Sequence, residues 1–287
     1  MFMKYDYWLP GGSQGVLLIH GLTGTPTEMR GAARAFNRAG FTVYALQLAG
    51  HCGTVEDLVA TRWQDWYQSV IDGADRLRQQ VSTLFVAGLS MGALLALKYA
   101  SDYPSRVDGV LVYAVTFRGD GWSVPALKRI VGPWLLQLAA RLKIGSCRCV
   151  DEQPPYGIRN ERLRKKIAAK MLSGNSAAAG LRGTPWASLN EMIVLSRTVR
   201  LRLHCTTSPC LILHASEDDI SHRRNAELVR DSVSGPAELV LLANSYHMIT
   251  IDNDRHELFQ RSIAFINHFT SPDGTPRPAV DDDRLLQ

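Results

Sequence analysis

The stretch VAGLSMGA, Val86–Ala93, places a serine between two glycines, Gly88 and Gly92. The apolar run Thr83–Ala87 before the turn is typical of a short buried strand, and the ALLALKYA that follows consists of strong helix formers. A serine beside glycines more often marks an ordinary turn. The strand before it and the helix after it are what distinguish a catalytic turn from an ordinary one. A sharp strand-to-helix turn leaves little room, which favours residues without side chains two positions before and after the serine. The pattern therefore predicts a nucleophile elbow that exposes Ser90 above a sheet edge.

Short apolar runs alternate with helix-like segments over most of the chain. The predicted strands are Val16–Ile19, Phe41–Leu48, Thr83–Ala87, Val107–Val115, Cys210–His214 and Glu238–Leu242. The predicted helices between them are Thr27–Ala39, Trp63–Gln80, Asn225–Val233 and Asp254–Phe269. This alternation predicts an α/β fold with a mostly parallel sheet covered by helices on both faces. We assign the core to residues 1–115 and 204–270.

The alternation stops between residues 116 and 203, where no clear strand is present. Helix-like pieces lie near Val124–Leu142, Ile158–Leu172 and Trp186–Val199, separated by Gly and Pro. A single crossover needs only about a dozen residues, so this segment is too long for one. We predict a helical cap inserted over the carboxyl edge of the sheet, the alternative being an ordinary pair of crossover helices.

Composition excludes several classes of protein. The chain has 287 residues, of which 46% are apolar, enough for one large α/β domain or one with an inserted subdomain. Its net charge of +5 is spread out, which argues against nucleic acid as a partner. The basic run Arg159–Lys170 is interpreted as a solvated face, with attraction of an acidic substrate or membrane surface as the alternative. The segment 271–287, rich in Pro and Asp, is predicted to be a loose tail.

The five cysteines and the termini bear on location and cofactors. An odd number of cysteines at irregular spacing is a poor disulfide framework, so reduced thiols are expected. Cys147 and Cys149 form a C-x-C pair, but no second pair has metal-binding spacing, and neither a metal nor another cofactor is predicted. No run has signal-peptide or membrane-spanning length. We therefore expect a cytoplasmic protein without stable membrane insertion.

A serine nucleophile needs a base, and the base needs a carboxylate that holds its tautomer. In sheets of this type the chain order is serine, acid, histidine. The strand in LILHASEDDI runs into an acidic turn, and the strand in AELVLLANSYHMITID runs into a loop with His247. Of eight histidines, only His247 combines this order with a loop after a strand. Asp218 is the preferred acid because Ile220 can anchor the turn, and Asp219 remains the competitor.

Hydrolysis also requires donors for a developing oxyanion. One candidate is the main-chain N–H of Met91, which follows the serine and begins a helix. The second is the N–H of Leu22, in the loop after the strand of LLIHGLTGT. The alternative for this loop is a plain strand exit at His-Gly.

With these residues in hand, the chain resembles the α/β-hydrolase superfamily, and within it bacterial carboxylesterases related to monoacylglycerol lipases. The stretches that carry the resemblance are VLLIHGLTGTPTEMR, LAGHCGTVEDL, WQDW, VAGLSMGALLAL, LILHASEDDI and SYHMITID. The resemblance implies a Ser90, Asp218 and His247 triad, an oxyanion pair at Leu22 and Met91, no cofactor, and a helical cap with an apolar pocket. Cys52 departs from the family, which usually has Gly at this position.

The pocket is less defined because the insertion does not align clearly with the family. The candidate pocket side chains are His51, Trp122, Trp134 and Trp186, and each of the three tryptophans can equally belong to the core of the cap. The substrate range does not carry over from the resemblance, and the sequence predicts no oligomeric state.

The preferred function is a serine hydrolase that cleaves carboxylic esters of short to medium acyl chains through an acyl-enzyme, with a small-molecule ester as substrate. The same triad could serve a thioesterase, an amidase or an acyltransferase. A protein that keeps the fold only for binding is a third possibility. Against it stands the presence of all three residue types at the turns where catalysis needs them.

Overall fold

The computed structural model describes residues 3–142, 144–172 and 176–270, so the predicted tail at 271–287 lies outside the described residues. The strands are β1 (Tyr7–Leu9), β2 (Gln14–Ile19), β3 (Thr42–Leu46), β4 (Thr83–Leu89), β5 (Gly109–Tyr113), β6 (Cys149–Asp151), β7 (Gly183–Pro185), β8 (Cys210–Ala215) and β9 (Ala237–Leu242). The α-helices are α1 (Arg30–Arg38), α2 (Val55–Val59), α3 (Trp63–Arg78), α4 (Met91–Asp102), α5 (Ala126–Arg141), α6 (Glu161–Leu172), α7 (Ser176–Ala179), α8 (Trp186–Arg200), α9 (Arg224–Ser232) and α10 (Arg255–Thr270).

The main sheet has seven strands in the order β1-β3-β2-β4-β5-β8-β9. All neighbouring pairs are parallel except β1 with β3, which is antiparallel. Parallel strands end at one edge, so the loops after β2, β4, β8 and β9 reach the same side of the molecule. The predicted fold class, a mostly parallel sheet flanked by helices, is confirmed.

Alternate residues of each central strand enter two separate cores. Leu17 and Val86 belong to the core that contains α3 and α4, whereas Val16 and Phe85 belong to the core that contains α1 and α10. Successive side chains of a strand point to opposite faces. Because both faces are covered, these strands are continuous apolar runs without the alternation of a half-exposed sheet.

Two features of the sheet content were not predicted. The edge strand β1 was missed, and the insertion, expected to lack strands, contains a small antiparallel sheet of β6 and β7. Each of these strands has three residues. Three residues are too few for an alternating pattern to stand out, and their pairing partners lie far away in the sequence.

The last helix of the insertion packs on the core. Leu195 and Val199 of α8 are buried in the same core as α4. The N–H of Trp63, the first residue of α3, donates to Glu191 Oε2 of α8 at 3.2 Å. The boundary between core and cap at residues 116–203 stays a prediction, and α8 is the segment of the insertion most closely joined to the core.

Candidate active site

Ser90 occupies the turn between β4 and α4 in a conformation that side chains rarely adopt. Its φ is 57° and its ψ is −113°, and its N–H donates to the Tyr113 carbonyl at 2.9 Å. A Cβ on Gly88 would collide with the main chain of Gly92, and one on Gly92 would collide with the Ile19 carbonyl. The two glycines are therefore required by the close approach of main chains beside the turn.

His247 joins the serine to the acid. Its Nε2 lies 2.9 Å from Ser90 Oγ, and its Nδ1 lies 2.8 Å from Asp218 Oδ2. The imidazole and the carboxylate are almost completely buried, with 3% and 4% of these residues exposed. A proton on Nδ1 satisfies the carboxylate and leaves Nε2 to accept the proton of the serine. The three residues predicted from the sequence thus lie in one hydrogen-bonded chain.

The two neighbouring aspartates make different contacts. The second oxygen of Asp218, Oδ1, accepts the N–H groups of Ile220 at 2.9 Å and Ser221 at 2.7 Å, which fixes the carboxylate. Asp219 instead accepts the main-chain N–H groups of Gly157 at 3.1 Å and His247 at 3.3 Å. Asp218 orients the ring, whereas Asp219 holds the backbone of the histidine loop.

Burial and charge act in opposite directions on the pKa values of His247 and Asp218. Burial lowers the pKa of His247, but the charge and hydrogen bond of Asp218, together with Asp219 and Glu152, outweigh it, so the pKa lies above its usual value. Burial raises the pKa of Asp218, yet its interactions with His247 leave the net pKa below the usual range. The carboxylate therefore stays charged while the imidazole takes up a proton.

The loop of residues 21–25 is held in place by His20. The N–H of Leu48 donates to His20 Nε2 at 3.2 Å, so the ring proton lies on Nδ1, which donates to the Gly21 carbonyl at 2.9 Å. The Gly21 carbonyl and the Leu22 N–H belong to one planar peptide and point in opposite directions. His20 thereby fixes the direction of the Leu22 N–H. The loop reaches the serine, because a Cβ on Gly21 would lie 3.6 Å from Ser90 Cβ.

Glu28, which the sequence analysis missed, supports the same loop. Its Oε2 accepts the N–H of Gly21 at 3.4 Å, and its carboxylate also bonds to the backbone of Thr25. Its carboxylate packs so closely against Gly24 that a Cβ there would collide with it. Burial raises the Glu28 pKa to about 7, although these N–H groups lower it. The signal was present in the sequence, since Thr25 and Glu28 have the spacing of a capping box.

Among the contacts of the insertion with the site are two main-chain hydrogen bonds that were not predicted. The N–H of Leu181 donates to the Thr23 carbonyl at 3.1 Å, in the loop that carries Leu22. The N–H of Met248 donates to the Gly157 carbonyl at 2.8 Å, directly beside His247. Both contacts join residues that are remote in sequence. They use main-chain atoms, so they do not require particular residue types and cannot be read from the sequence.

The four candidate pocket side chains have different surroundings. His51 is 4% exposed, and its ring packs edge-on against His20 and Trp66. Trp122 packs against Tyr246 and donates from Nε1 to the Glu217 carbonyl at 3.0 Å.

The other two candidates lie on helices of the insertion. Trp134 is 75% exposed on α5, and a role in the pocket stays a prediction for it. Trp186 begins α8 beneath the guanidinium of Arg148. For His51, Trp122 and Trp186 a role in the pocket stays a prediction.

Cys52 adopts a conformation that explains the glycine usual in the related family. Its φ is 67°, in the left-handed region that glycine enters without strain. Burial raises the pKa of its thiol to about 12, so the thiol is protonated at neutral pH. Cys52 is therefore a strained, unreactive position in the loop before α2.

The described residues show no metal site and no membrane span. Within residues 3–142, 144–172 and 176–270, no group of three or more His, Cys, Asp or Glu side chains could hold a metal ion. In the same part of the chain, no helix combines the length and apolar character needed to cross a bilayer.

Comparison with known proteins places this geometry in a family. Residues 13–254 match the family Hydrolase_4, described as serine aminopeptidase, S33. The chain is 32% identical over 260 residues to a thermostable monoacylglycerol lipase of Bacillus sp. (strain H-257), covering 90% of this chain and 92% of the relative. It is 26% identical over 260 residues to a carboxylesterase of Bacillus subtilis (strain 168), covering 89% of this chain and 93% of that enzyme.

Solved structures agree with these relatives. A structure from the work on LipS and LipT, two metagenome-derived lipolytic enzymes, aligns with a TM-score of 0.76 and 27% identity, covering 93% of this chain and 99% of the other. A soluble variant of monoglyceride lipase from Saccharomyces cerevisiae shares the fold, with a TM-score of 0.74 and 15% identity, covering 93% and 92%. The chain therefore belongs to the serine aminopeptidase S33 (Hydrolase_4) family and is an esterase-type serine hydrolase of the α/β-hydrolase fold, related to monoacylglycerol lipases.

Proposed function

We propose that this protein hydrolyses carboxylic esters of short to medium acyl chains through an acyl-enzyme on Ser90. Ser90 Oγ attacks the ester carbonyl carbon while His247 Nε2 takes the hydroxyl proton. The carbonyl oxygen becomes an oxyanion that accepts the N–H groups of Leu22 and Met91. The alcohol leaves with the proton from His247. Water then attacks the acyl group by the same route, and the acid and free Ser90 are released.

The observation that carries the proposal is the continuous contact from Ser90 Oγ to His247 Nε2 at 2.9 Å and from His247 Nδ1 to Asp218 Oδ2 at 2.8 Å. The raised His247 pKa supports the role of a base whose protonated form is stabilised during the reaction. The lowered Asp218 pKa supports a charged orienting group at every pH where the enzyme would work.

The relatives support esters as the substrate class. One is named a monoacylglycerol lipase and another a carboxylesterase, and we extend ester cleavage to this chain. The family description names an aminopeptidase, so amides belong among the tested substrates. Hydrolysis of thioesters and transfer of the acyl group to an acceptor other than water would use the same triad, so both reactions are tested beside ester hydrolysis.

The test is a series of p-nitrophenyl esters from acetate to laurate, a monoacylglycerol, an acyl thioester and an aminoacyl p-nitroanilide. We expect kcat/KM to be highest for esters of short to medium chains. Ser90→Ala should lower kcat by roughly 10⁴-fold or more, because triad members act as a unit. Phenylmethylsulfonyl fluoride should add mass to the peptide that contains Ser90. Ester turnover that survives in Ser90→Ala, or labelling only at another residue, would refute the proposal.

A second experiment tests which aspartate is the acid. Asp218→Asn should lower kcat by about 10⁴-fold, because an amide in place of the carboxylate favours the wrong tautomer of His247. Asp219→Asn should cost far less, because Asp219 accepts only the N–H groups of Gly157 and His247. Thermal unfolding of both variants shows whether the loop is intact. If the two variants rank the other way in kcat/KM, Asp219 is the acid.

A further inference from the structure

A second histidine, His214, lies against the acid of the site and takes no part in the proposed reaction. It belongs to the strand β8, and its surface is completely buried. Its Nε2 lies 2.7 Å from the Ser221 carbonyl oxygen and 3.5 Å from Asp218 Oδ2. The same Oδ2 lies 2.8 Å from His247 Nδ1. One carboxylate oxygen thus has two imidazoles beside it, one that leads to Ser90 and one on the strand.

The contacts of His214 define its protonation. A carbonyl oxygen can only accept a hydrogen bond, so Nε2 carries the proton that the Ser221 carbonyl receives. Burial lowers the pKa of His214 below its usual value, although the charge of Asp218 and the Ser221 carbonyl act against it. The ring is therefore neutral at neutral pH. It brings the positive end of an N–H dipole close to Asp218 without cancelling the charge that holds His247.

Packing alone does not account for a histidine at this position of β8. The residues before it, Leu211, Ile212 and Leu213, are apolar and almost completely buried. A leucine at position 214 would bury no polar atom, whereas His214 buries an Nδ1 that has no hydrogen-bond partner among the described residues, at a cost in stability. What the histidine adds is its Nε2–H.

Ser221 connects His214 to the orientation of the acid. The N–H of Ser221 donates to Asp218 Oδ1 at 2.7 Å, and its Oγ donates to the Val115 carbonyl at 2.8 Å. The turn of residues 218–221 is thereby joined to the sheet twice, by His214 on β8 and by Val115 after β5. The residue whose carbonyl His214 holds also fixes the second oxygen of the carboxylate. Through Ser221, His214 acts on the direction of Asp218.

We propose that His214 is a positioning residue for the catalytic acid, holding the Ser221 carbonyl and lying against Asp218 Oδ2 so that this oxygen points at His247 Nδ1. The role rests on the proposed ester hydrolysis by the triad. A carboxylate that is turned away no longer fixes the tautomer of His247, and this weakens proton transfer from Ser90 without weakening substrate binding.

His214→Leu tests the proposal, because it removes both ring nitrogens and keeps an apolar side chain of similar size. We expect kcat on p-nitrophenyl esters to fall at least about ten-fold while KM stays within about two-fold. The unfolding temperature should stay close to that of the wild type, because the loss of the unpartnered Nδ1 offsets the loss of the bond to Ser221. His214→Gln, whose amide can donate to the same carbonyl, should recover kcat to within about three-fold of the wild type.

Proton NMR examines the acid without turnover. In the Ser90→Ala chain, the His247 Nδ1 proton that is bonded to Asp218 should give a far-downfield resonance. Adding His214→Leu should weaken this resonance or shift it upfield, and adding His214→Gln should restore it. The two proposals therefore fail separately: a wild type that cleaves no ester refutes the hydrolysis, while the resonance still tests His214.

His204→Leu is the matched control, because His204 is exposed in the segment before β8 and the same change there should alter neither kcat nor the resonance. If His214→Leu does not fold, His214→Met replaces it, since methionine adapts to irregular space. A folded apolar variant with wild-type kcat and an unchanged resonance overturns the proposal. A glutamine variant that is no better than the leucine variant also overturns it and assigns the ring a packing role.

Discussion

Single residues around Ser90 differ in the charge that their surroundings permit. Asp218 is held below its usual pKa by His247 although it is buried. Burial raises the pKa of Glu28 from 4.5 to about 7, although the N–H groups of Gly21 and Thr25 and the charge of His247 act against it. A charged Glu28 would also oppose the oxyanion that we propose at the Leu22 N–H. Burial thus favours the neutral form of Glu28, whereas His247 favours the charged form of Asp218.

The stability of the folded chain should reflect this carboxyl. The folded chain holds the Glu28 proton up to about pH 7, whereas the unfolded chain releases it near 4.5. The folded state thus binds more protons within this window, and the Glu28 contribution to the free energy of unfolding falls as pH rises through it. Glu28→Gln keeps an oxygen acceptor for the Gly21 N–H but has no proton that titrates. The free energy of unfolding of this variant, relative to wild type, should therefore increase with pH. Urea unfolding between about pH 5 and about pH 8 measures the difference.

His247 also titrates, with a pKa above its usual value, so the comparison must be between variants. His247 loses its stabilising proton as pH rises, and both proteins share that loss. Glu257→Gln is the control, because Glu257 is part of an exposed ion pair with Arg261. Parallel stability profiles for wild type and Glu28→Gln would show that the carboxyl titrates normally.

At the scale of elements, the strand–turn–helix around Ser90 was predictable because its causes are local. Gly88 and Gly92 indicate the crowded turn, and the apolar runs on either side predict the strand and the helix. The same holds for the loop of His247, which follows its strand directly. The resemblance to the α/β-hydrolase superfamily, drawn from such stretches, is confirmed by the family match over residues 13–254.

The elbow gives a prediction for one glycine. A Cβ on Gly88 meets main-chain atoms of Gly92 and Ala93, which cannot move aside without shifting α4. Gly88→Ala should therefore lower the free energy of unfolding by about 3 kcal/mol, the upper range of overpacking costs. Gly132→Ala in α5 meets nothing within 4 Å, and it should be neutral or stabilising by about 0.5–1 kcal/mol because alanine favours the helix. Equal unfolding midpoints for the two variants would contradict the steric account.

What the sequence did not predict depends on pairing across long separations. The strands β6 and β7 have three residues each and meet only because the insertion folds back on itself. The support that Leu181 gives to Thr23 uses main-chain atoms alone.

At the scale of the whole molecule, segment 116–203 forms hydrogen bonds with the loops that carry Leu22 and His247. It supplies Leu181 to the loop of Leu22 and residues 157–160 to the loop of His247. The second connection centres on Asp252, which is fully buried. Asp252 accepts the N–H groups of Arg159 at 2.6 Å, Asn160 at 3.0 Å and Tyr246 at 3.0 Å. One carboxylate thus joins the insertion to the segment that carries His247.

Asp252→Ala should test whether this connection positions the base. The change leaves three part-buried N–H groups without their acceptor, and at about 1 kcal/mol or more for each donor the chain should lose at least roughly 3 kcal/mol of stability. Below its unfolding temperature the variant should also lose at least about ten-fold in kcat, with a smaller change in KM, because a displaced His247 weakens only the chemical step. Asp252→Asn, which keeps one acceptor oxygen, should recover part of both losses. Glu257→Ala on the neighbouring helix should change neither, since its ion pair is exposed. A folded Asp252→Ala enzyme with wild-type kcat would mean that the histidine loop holds its geometry without the insertion, and that the insertion serves only to cover the site.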